Sequence, residues 1–352
     1  MIQQIKYCST EPEFKDAFSS FAGDCRRVML VHGHGSYVSC GAKDLIDLVS
    51  QGLTLVEFDD FSANPKQEDA QAGTRLLAES NPDMIVAVGG GSVIDMAKLI
   101  RHYSQCQIPL LAIPTTAGTG AESTQFSVCY IDGIKHSISD PSILPDMVLL
   151  YPPLTYGNSP YLTACTGFDA LAQAIEAYWN VNATPESDAL ALRAIERIYP
   201  RLISEPTPDN RMMLLLGANE AGRAINITRT TVPHALSYTL TSKYGYPHGH
   251  AVALTFPFFF KYNLEGNEAG YKGNDYEHYA AKMERLRALM EVTCDPFLFM
   301  KHYLQQIGLT FDPKRDFDDC IVADGINLER AKNTPIAINR DVIMNAVKSI
   351  RE

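Results

Sequence analysis

The segment 84–103 constrains the possible folds of this 352-residue chain more than any other segment. The run MIVAV (84–88) has the composition of a buried strand, and it leads through GGGS (89–92) into a stretch with helical spacing. Glycines at a strand-to-helix turn let backbone N–H groups approach an anion, which also meets the positive end of the helix dipole. A tight turn that only requires positive φ is the structural alternative. The turn lacks the common G-x-G-x-x-G pattern, because Ile94 stands where that pattern has glycine.

Short β-branched runs alternate with helical stretches through the first part of the chain, and this alternation is typical of a doubly wound parallel sheet. After Pro152 and Pro153 the pattern changes to long segments with apolar residues at helical spacing. We therefore predict an α/β, Rossmann-like doubly wound parallel sheet over residues 1–150 and an all-α domain over residues 151–352. The runs that predict strands are 27–31, 53–58, 84–88 and 108–113.

Composition and charge narrow the class of protein. The formal net charge of −11 disfavours a general phosphate-backbone binder, because nucleic-acid affinity rests on clustered Lys and Arg. The eight cysteines form no C-x-x-C pair, so neither a zinc ribbon nor a disulfide framework is indicated. The N-terminus has no apolar run of signal-peptide length, and the apolar segment 251–260 contains Pro257 and is too short to cross a bilayer. We expect a cytoplasmic protein with a small-molecule substrate and no nucleic-acid or membrane partner.

A second candidate cofactor loop follows the strand predicted at 108–113. The segment PTTAGTG (114–120) places small hydroxylated residues at the carboxyl end of that strand. Open α/β sheets bind ligands at this edge, where hydroxyl groups can hydrogen-bond a nucleotide. Alone, the segment is compatible with an ordinary polar loop, but two such loops at neighbouring strand ends favour a nucleotide site.

Four residues of the predicted all-α domain have side chains that suit a catalytic metal. Asp169 and Gln173 are four residues apart and share one face of a predicted helix. His234 and His248 follow later in the chain. Imidazole nitrogens with one carboxylate suit Zn²⁺ or Fe²⁺, and a free coordination position distinguishes a catalytic site from a closed structural one. The structural alternatives are a helix cap for Asp169 and hydrogen-bonded core positions for the histidines.

Four motifs, in this order, resemble those of the iron-containing alcohol dehydrogenase family. They are GGGSVIDMAK (89–98), PTTAGTGAE (114–122), TGFDALAQAIEAY (166–178) and, after His234, PHGHA (247–251). The resemblance implies a dehydroquinate synthase-like fold that binds NAD(P)H and one divalent metal, Fe²⁺ or Zn²⁺. The cofactor-binding residues that it implies are Gly90, Gly91, Ser92, Asp95, Thr115, Thr116, Thr119 and Lys135.

The resemblance also assigns the metal ligands, with two departures from the family pattern. Asp169, His234 and His248 match three of the family's ligands. The family's usual second ligand is a histidine four residues after the aspartate, and here it is Gln173, an uncommon and weaker ligand. The position four residues after His234, often a catalytic or substrate-facing histidine in the family, is Tyr238. The identity of the metal, iron or zinc, therefore stays open.

The chemistry that the resemblance implies is the reduction of an aldehyde. The metal would polarise the aldehyde oxygen, and a nicotinamide in a cleft between the two domains would deliver hydride to the carbonyl carbon. The proton would come from water or from a relay, for which Tyr238 and His250 are the candidates. Dimers are common in the family, so a homodimer is an expectation.

Two further features concern the substrate and the cofactor. The segments INITRTTVPHALSY (225–238) and YGYPHGHAVAL (244–254) are most similar to the phosphonoacetaldehyde reductase branch. Arg229, flanked by threonines, suits a phosphonate or carboxylate held near the metal, although a surface salt bridge explains it equally well. After the second strand the family commonly has an acidic residue that disfavours a 2′-phosphate. Here VHGHGS (31–36) has no carboxylate, which predicts that NADPH is at least tolerated.

We therefore predict a metal-dependent alcohol dehydrogenase or aldehyde reductase, most specifically one that converts phosphonoacetaldehyde to 2-hydroxyethylphosphonate. A simple-alcohol, hydroxybutyrate or maleylacetate type of enzyme is the alternative within the same class. A dehydroquinate synthase-like lyase would be expected to have Glu in place of Asp169 and more basic residues. A non-catalytic nucleotide-binding protein is suggested only by Gln173, and the other three ligands argue against it.

Overall fold

The computed structural model describes residues 3–132 and 134–352. Its strands are β1 (Gln4–Tyr7), β2 (Arg27–His32), β3 (Thr54–Phe58), β4 (Met84–Gly89), β5 (Leu110–Pro114), β6 (Phe126–Ile131), β7 (Ile134–Ser139) and β8 (Met147–Leu150). Within the described residues, six strands form one parallel sheet in the order β1-β8-β5-β4-β2-β3, while β6 and β7 pair antiparallel. Because β4 lies between β5 and β2, the residues that follow these three strands share one edge of the sheet.

The parallel sheet is covered by helices on both faces. Successive strand residues point to opposite faces, so Val28 and Leu30 pack in one hydrophobic cluster, and Met29 and Val31 pack in another. Burial on both faces explains why these strands read as continuous apolar runs in the sequence. The helices around this sheet are α1 (Glu11–Ala22), α2 (Ser36–Ser39), α3 (Ala42–Val49), α4 (Gln67–Ser80) and α5 (Gly91–Ser104).

The rest of the chain is helical. Its helices are α6 (Pro160–Trp179), α7 (Pro185–Leu202), α8 (Pro208–Thr228), α9 (Val232–Tyr244), α10 (His248–Leu264), α11 (Tyr276–Leu289), α12 (Pro296–Gln306), α13 (Asp319–Asp324), α14 (Leu328–Ala331) and α15 (Arg340–Lys348). The predicted fold class, a parallel α/β sheet followed by an all-α half, is confirmed. Among the described residues, no helix is both long enough and apolar enough to span a membrane.

The chain forms two compact units. Unit 1 comprises Met1–Ser159 and Pro206–Gly222, and unit 2 comprises Pro160–Glu205 and Arg223–Glu352. The break at Ser159 lies close to the predicted boundary at 150/151, but the return of 206–222 to unit 1 differs from that prediction. The hydrophobic pattern could not indicate this return, because a helix has the same apolar spacing in either unit.

Two contacts hold the first part of α8 in unit 1. Gly222 packs against the backbone of Gly120, since a Cβ at Gly222 would lie 2.7 Å from the Gly120 Cα. Asn219 donates hydrogen bonds to Ser123 Oγ at 2.5 Å and to Glu122 Oε1 at 3.3 Å. The close approach of Gly222 to Gly120 and the buried hydrogen bonds of Asn219 therefore hold the first part of α8 in unit 1.

Candidate functional site

The glycine turn between β4 and α5 is built for close approach. None of its glycines is among the described residues with positive φ, so backbone conformation does not require them. A Cβ at Gly89 would lie 2.5 Å from Val93 Cγ2, and a Cβ at Gly91 would lie 2.6 Å from Thr119 Oγ1. Gly90 is the N-cap of α5 and has no side chain to satisfy the first N–H groups of the helix. The turn therefore offers N–H donors at the positive end of a helix, as an anion site requires.

The threonine loop after β5 lies beside this turn. Thr115 N donates to the carbonyl of Gly89 at 3.0 Å, and Thr115 is buried. Thr116 Oγ1 lies 3.3 Å from the position of a Cβ at Gly90, and Thr119 Oγ1 lies 2.6 Å from the position of a Cβ at Gly91. Two of the three predicted threonines thus line the glycine turn, while Thr115 ties the two loops together.

The other predicted cofactor residues make contacts within unit 1. Ser92 Oγ donates to the carbonyl of Ala63, so protein already engages this hydroxyl. Asp95 Oδ2 accepts from Val128 N at 3.2 Å. Burial raises the pKa of Asp95 to about 6, and nearby lysines, among them Lys135, act to lower it. The carboxylate of Asp95 thus has a hydrogen-bond partner within unit 1.

Lys98 belongs to the same region, and the sequence analysis did not identify it. It is fully buried, and its Nζ donates to the carbonyl of Phe126 at 2.8 Å and to Thr124 Oγ1 at 3.2 Å. Burial lowers the pKa of Lys98 to about 8, against the opposing effect of Asp95. The available signal was the spacing Asp95-x-x-Lys98, which places the two charges on one face of α5.

The three predicted metal ligands of unit 2 converge. Asp169, His234 and His248 each offer one ligand atom, and these atoms lie within 4.8 Å of one another. Asp169 Oδ1 is 3.1 Å from His234 Nε2 and 3.8 Å from His248 Nε2. Asp169 and His234 are buried, while the His248 side chain is 30% exposed, so the cluster is open on the His248 side.

The helix α6 supplies the carboxylate from an unusual position. Nearly every residue from Ala164 to Trp179 is buried, so this helix is apolar around its whole circumference. Asp169, Gln173 and Glu176 interrupt it at i, i+4 and i+7, which places them on one face. Asp169 lies inside the helix, so the helix-cap alternative is wrong. Buried polar groups in such a helix must be bonded or bind a ligand.

The two candidate histidine ligands lie at the N-termini of two helices. His234 is in the first turn of α9, and His248 is the first residue of α10. A Cβ at Gly249 would lie 1.9 Å from the carbonyl oxygen of Cys165 and 3.1 Å from Asp169 Cβ. Only glycine permits this approach of α10 to α6, and the approach sets His248 beside Asp169.

Glu176 is the important residue that the sequence analysis missed. It is fully buried, and its Oε1 lies 2.5 Å from His234 Nδ1. Its Oε2 accepts from Thr231 N at 2.5 Å and from Thr231 Oγ1 at 2.7 Å. Burial acts to lower the pKa of His234, but Glu176 and Asp169 outweigh it and raise that pKa to about 9. Its i+7 spacing from Asp169 was the signal that could have identified Glu176.

Gln173 lies on the same buried face of α6, and its side-chain amide is oriented toward the carboxylate of Asp169. Its Nε2 donates to Asp169 Oδ2 at 3.3 Å. This contact orients the second oxygen of Asp169, and it leaves Oε1 as the atom of Gln173 that could ligate a metal.

The two predicted proton relays have different surroundings. His250 Nε2 is 2.8 Å from the carbonyl of Thr310, and its Nδ1 is 2.9 Å from the hydroxyl of Tyr161. A carbonyl only accepts, so Nε2 carries the proton and Nδ1 accepts from Tyr161. Both ring nitrogens of His250 are therefore hydrogen-bonded within the unit, and its role as a relay stays a prediction. The ring centroid of Tyr238 is 6.4 Å from that of His248, which places Tyr238 beside the cluster.

Arg229 follows α8 in a conformation that glycine usually adopts. Its φ is +65°, and its side chain is exposed. Its N–H donates to the carbonyl of Ile225 at 2.8 Å, and its own carbonyl accepts from Asn180 Nδ2 at 3.1 Å. A residue other than glycine in this region costs conformational energy and persists only where its surroundings hold it. The position of Arg229 is therefore specified by its backbone contacts.

The threonines around Arg229 face the protein interior. Thr228, Thr230 and Thr231 are all buried. The Thr231 hydroxyl donates to Glu176, and the Thr230 hydroxyl accepts from Arg330 at 3.1 Å. These three hydroxyls thus have partners within the unit, while the side chain of Arg229 is exposed.

Two family models match this chain. Residues 10–152 match the family model described as iron-containing alcohol dehydrogenase. Residues 163–297 match the model described as Fe-containing alcohol dehydrogenase family, C-terminal. Alcohol dehydrogenase 4 of Saccharomyces cerevisiae is 31% identical over 67% of this chain and 68% of its own length. Other curated relatives are matched over 60% of their length.

Two further proteins are similar over more of the chain. The phosphonoacetaldehyde reductase of Streptomyces viridochromogenes is 30% identical over 79% of this chain and 78% of its own length. The solved structure of sulfoacetaldehyde reductase from Bifidobacterium kashiwanohense in complex with NAD⁺ is 26% identical, with a TM-score of 0.84. That comparison covers 99% of this chain and 96% of the other.

Proposed function

Because the chain belongs to the iron-containing alcohol dehydrogenase family, we propose that it is a metal-dependent reductase that uses NAD(P)H to convert a small aldehyde to a primary alcohol. The observation that carries this proposal is the convergence of Asp169, His234 and His248 within 4.8 Å. One carboxylate and two imidazoles leave coordination positions for substrate oxygen, as in catalytic rather than structural metal sites.

The residues fit a divalent metal. Glu176 accepts from His234 Nδ1, which directs Nε2 of that histidine toward Asp169. Asp169, His234 and His248 would hold the ion, and Gln173 is the fourth candidate through Oε1. Nitrogen and oxygen ligands of this kind suit both Fe²⁺ and Zn²⁺. When bound, the metal would supply a Lewis acid for the aldehyde oxygen and NAD(P)H would supply the hydride.

The chain's own residues would bind the cofactor and move the proton. Gly90 and Gly91 at the N-terminus of α5 would hold the pyrophosphate, with Thr116 and Thr119 beside it. Thr115, Ser92, Asp95 and Lys135 would support this site from within unit 1. Tyr238, beside His248, is the group that we assign to deliver a proton to the alkoxide oxygen.

The substrate we propose is phosphonoacetaldehyde. A relative bears that substrate in its name, and a structural neighbour is named for sulfoacetaldehyde, so both names denote a two-carbon aldehyde with an anionic head group. Arg229 would bind that head group, because a guanidinium pairs well with phosphonate oxygens. Its fixed backbone supports this role.

The test compares two aldehydes with and without Arg229. Purified protein reconstituted with Fe²⁺ or Zn²⁺ is supplied with NADPH or NADH and either phosphonoacetaldehyde or propanal. We expect Arg229→Ala to raise KM for phosphonoacetaldehyde by about 10- to 100-fold, the value of a charge-assisted contact, with little change for propanal. Arg75→Ala, an exposed arginine of α4, is the control and should change neither KM. Turnover of propanal but not of phosphonoacetaldehyde would support the proposed dehydrogenase activity and would refute phosphonoacetaldehyde as the substrate.

A further inference from the structure

The ends of β2 and β3 carry an imidazole and a carboxylate in contact, and the proposed mechanism has no use for this pair. We propose that this pair, His34 with Asp59, determines how the enzyme discriminates NADPH from NADH. His34 Nδ1 lies 3.0 Å from Asp59 Oδ2. The inference rests on the proposed binding of NAD(P)H by unit 1, and on nothing in the proposed aldehyde chemistry.

The pair lies on the edge of the sheet that carries the glycine turn. β2 is the parallel neighbour of both β3 and β4, so residues that follow these strands share one edge. A Cβ at Gly33 would lie 3.6 Å from Val93 Cγ2, and Val93 also contacts Gly89. The loop that carries His34 therefore packs on the same first turn of α5 as the glycine turn does.

At this position a dinucleotide-binding sheet contacts the ribose of the bound cofactor. When the pyrophosphate lies at the helix N-terminus, a carboxylate at a neighbouring strand end binds the ribose 2′-hydroxyl, and a cation there accepts a 2′-phosphate. In this chain a carboxylate and an imidazole lie together at this position and contact each other. Asp59 supplies the carboxylate, and His34 supplies the nitrogen donor.

NADPH was predicted to be tolerated because no carboxylate follows β2 in the sequence, and the structure changes that premise. The segment 31–36 has no carboxylate, but β3 places Asp59 against it. The pair is accessible, because the side chains of His34 and Asp59 are 67% and 40% exposed. The neighbouring histidine is not accessible: His32 is buried and stacks on Tyr37 with a centroid distance of 4.1 Å.

This arrangement predicts that substitutions of His34 and of Asp59 shift the preference between NADPH and NADH in opposite directions. His34→Gln removes the group that can take up a proton beside a 2′-phosphate, so the charge of Asp59 should repel that phosphate and favour NADH. Asp59→Asn removes that charge and frees the imidazole, which should favour NADPH. Each change should alter the ratio of the NADPH and NADH dissociation constants by about fivefold, the order expected when one charge acts on a nearby phosphate dianion through water. Both variants should fold, since the hydrogen bond from Phe61 N uses only the backbone carbonyl of Asp59.

The experiment is a fluorescence titration of the purified protein with NADH and with NADPH, without aldehyde. His102→Gln is the matched control, because His102 Nδ1 lies 3.0 Å from Asp140 Oδ2 elsewhere in unit 1. We expect His34→Gln and Asp59→Asn to shift the ratio in opposite directions and His102→Gln to leave it unchanged.

Two results would overturn the inference, and they are distinguishable. If both cofactors bind but the two variants leave the ratio unchanged or shift it in the same direction, the pair does not discriminate, and the proposed function stands. If the wild-type protein binds neither NADH nor NADPH, both the proposed cofactor binding and this inference are refuted.

Discussion

Replacing Glu176 with Gln should weaken metal binding through the protonation of one imidazole nitrogen. The carboxylate accepts from His234 Nδ1 at 2.5 Å and from two donors of Thr231 at 2.5 and 2.7 Å. A glutamine amide can accept both Thr231 donors through its oxygen, but its NH₂ group then faces His234 Nδ1. His234 must in that case accept at Nδ1 and carry its proton on Nε2. That nitrogen faces Asp169 Oδ1 at 3.1 Å, and while protonated it cannot ligate a metal.

The size of the effect follows from the geometry. Removing a carboxylate that orients a ligating imidazole costs about 10- to 100-fold in metal affinity, or about 1.4 to 2.7 kcal/mol. Glutamine keeps the volume of Glu176 and its contacts with Thr231. We therefore expect the free energy of unfolding of the metal-free protein to fall by only about 1–3 kcal/mol, the value of weakened buried hydrogen bonds.

The assay is a competition for Zn²⁺ between the protein and a chromophoric chelator, with circular dichroism to confirm folding. Glu186→Gln, an exposed glutamate in the first turn of α7, is the control and should bind Zn²⁺ like wild type. A folded Glu176→Gln protein that binds Zn²⁺ as tightly as the wild type would refute the role of Glu176 in orienting His234.

Two further predictions concern positions at which the chain departs from expectation. Gln173→His should tighten metal binding by about tenfold, or about 1.4 kcal/mol, because imidazole is a stronger ligand than an amide; the same competition assay measures it, and unchanged affinity would show that residue 173 does not reach the metal. Lys98, whose pKa burial lowers to about 8, should destabilise the fold below pH 8, and this cost should disappear as pH rises toward the unfolded value of 10.5. Between pH 7 and 9.5 the unfolding free energy of wild type should therefore gain about 2 kcal/mol relative to Lys98→Met in urea titrations, and a constant difference would contradict the assigned cause.

The sequence predicted the parts of the molecule that depend on local pattern. Continuous apolar runs such as 84–88 identify strands buried on both faces, and the change to helical spacing after Pro153 identifies the helical half. The convergence of Asp169, His234 and His248 agrees with the ligand set that the family resemblance implied. The fold prediction succeeded because periodicity can be read from a single sequence, while the ligand assignment, which rests on motif spacing, stays a prediction.

What the sequence could not indicate depends on contacts between distant segments. Asp59 reaches the loop after β2 only through strand pairing, and Thr310 engages His250 from sixty residues away. The left-handed backbone of Arg229 has no sequence signal, because glycine would be expected there. Glu176 differs from these cases, since its spacing on α6 was visible and only its hydrogen bond to His234 was not.

The most direct test of the account is whether aldehyde reduction requires the metal bound by Asp169, His234 and His248. Metal-free protein and His248→Ala protein are each supplied with Fe²⁺ or Zn²⁺, NADPH or NADH, and phosphonoacetaldehyde, while absorbance of the reduced nicotinamide is followed. The account predicts that added metal restores oxidation to the wild-type chain, that a chelator removes it, and that His248→Ala neither retains metal nor turns over. Full activity in metal-free protein, or in a His248→Ala protein that holds no metal, would contradict it.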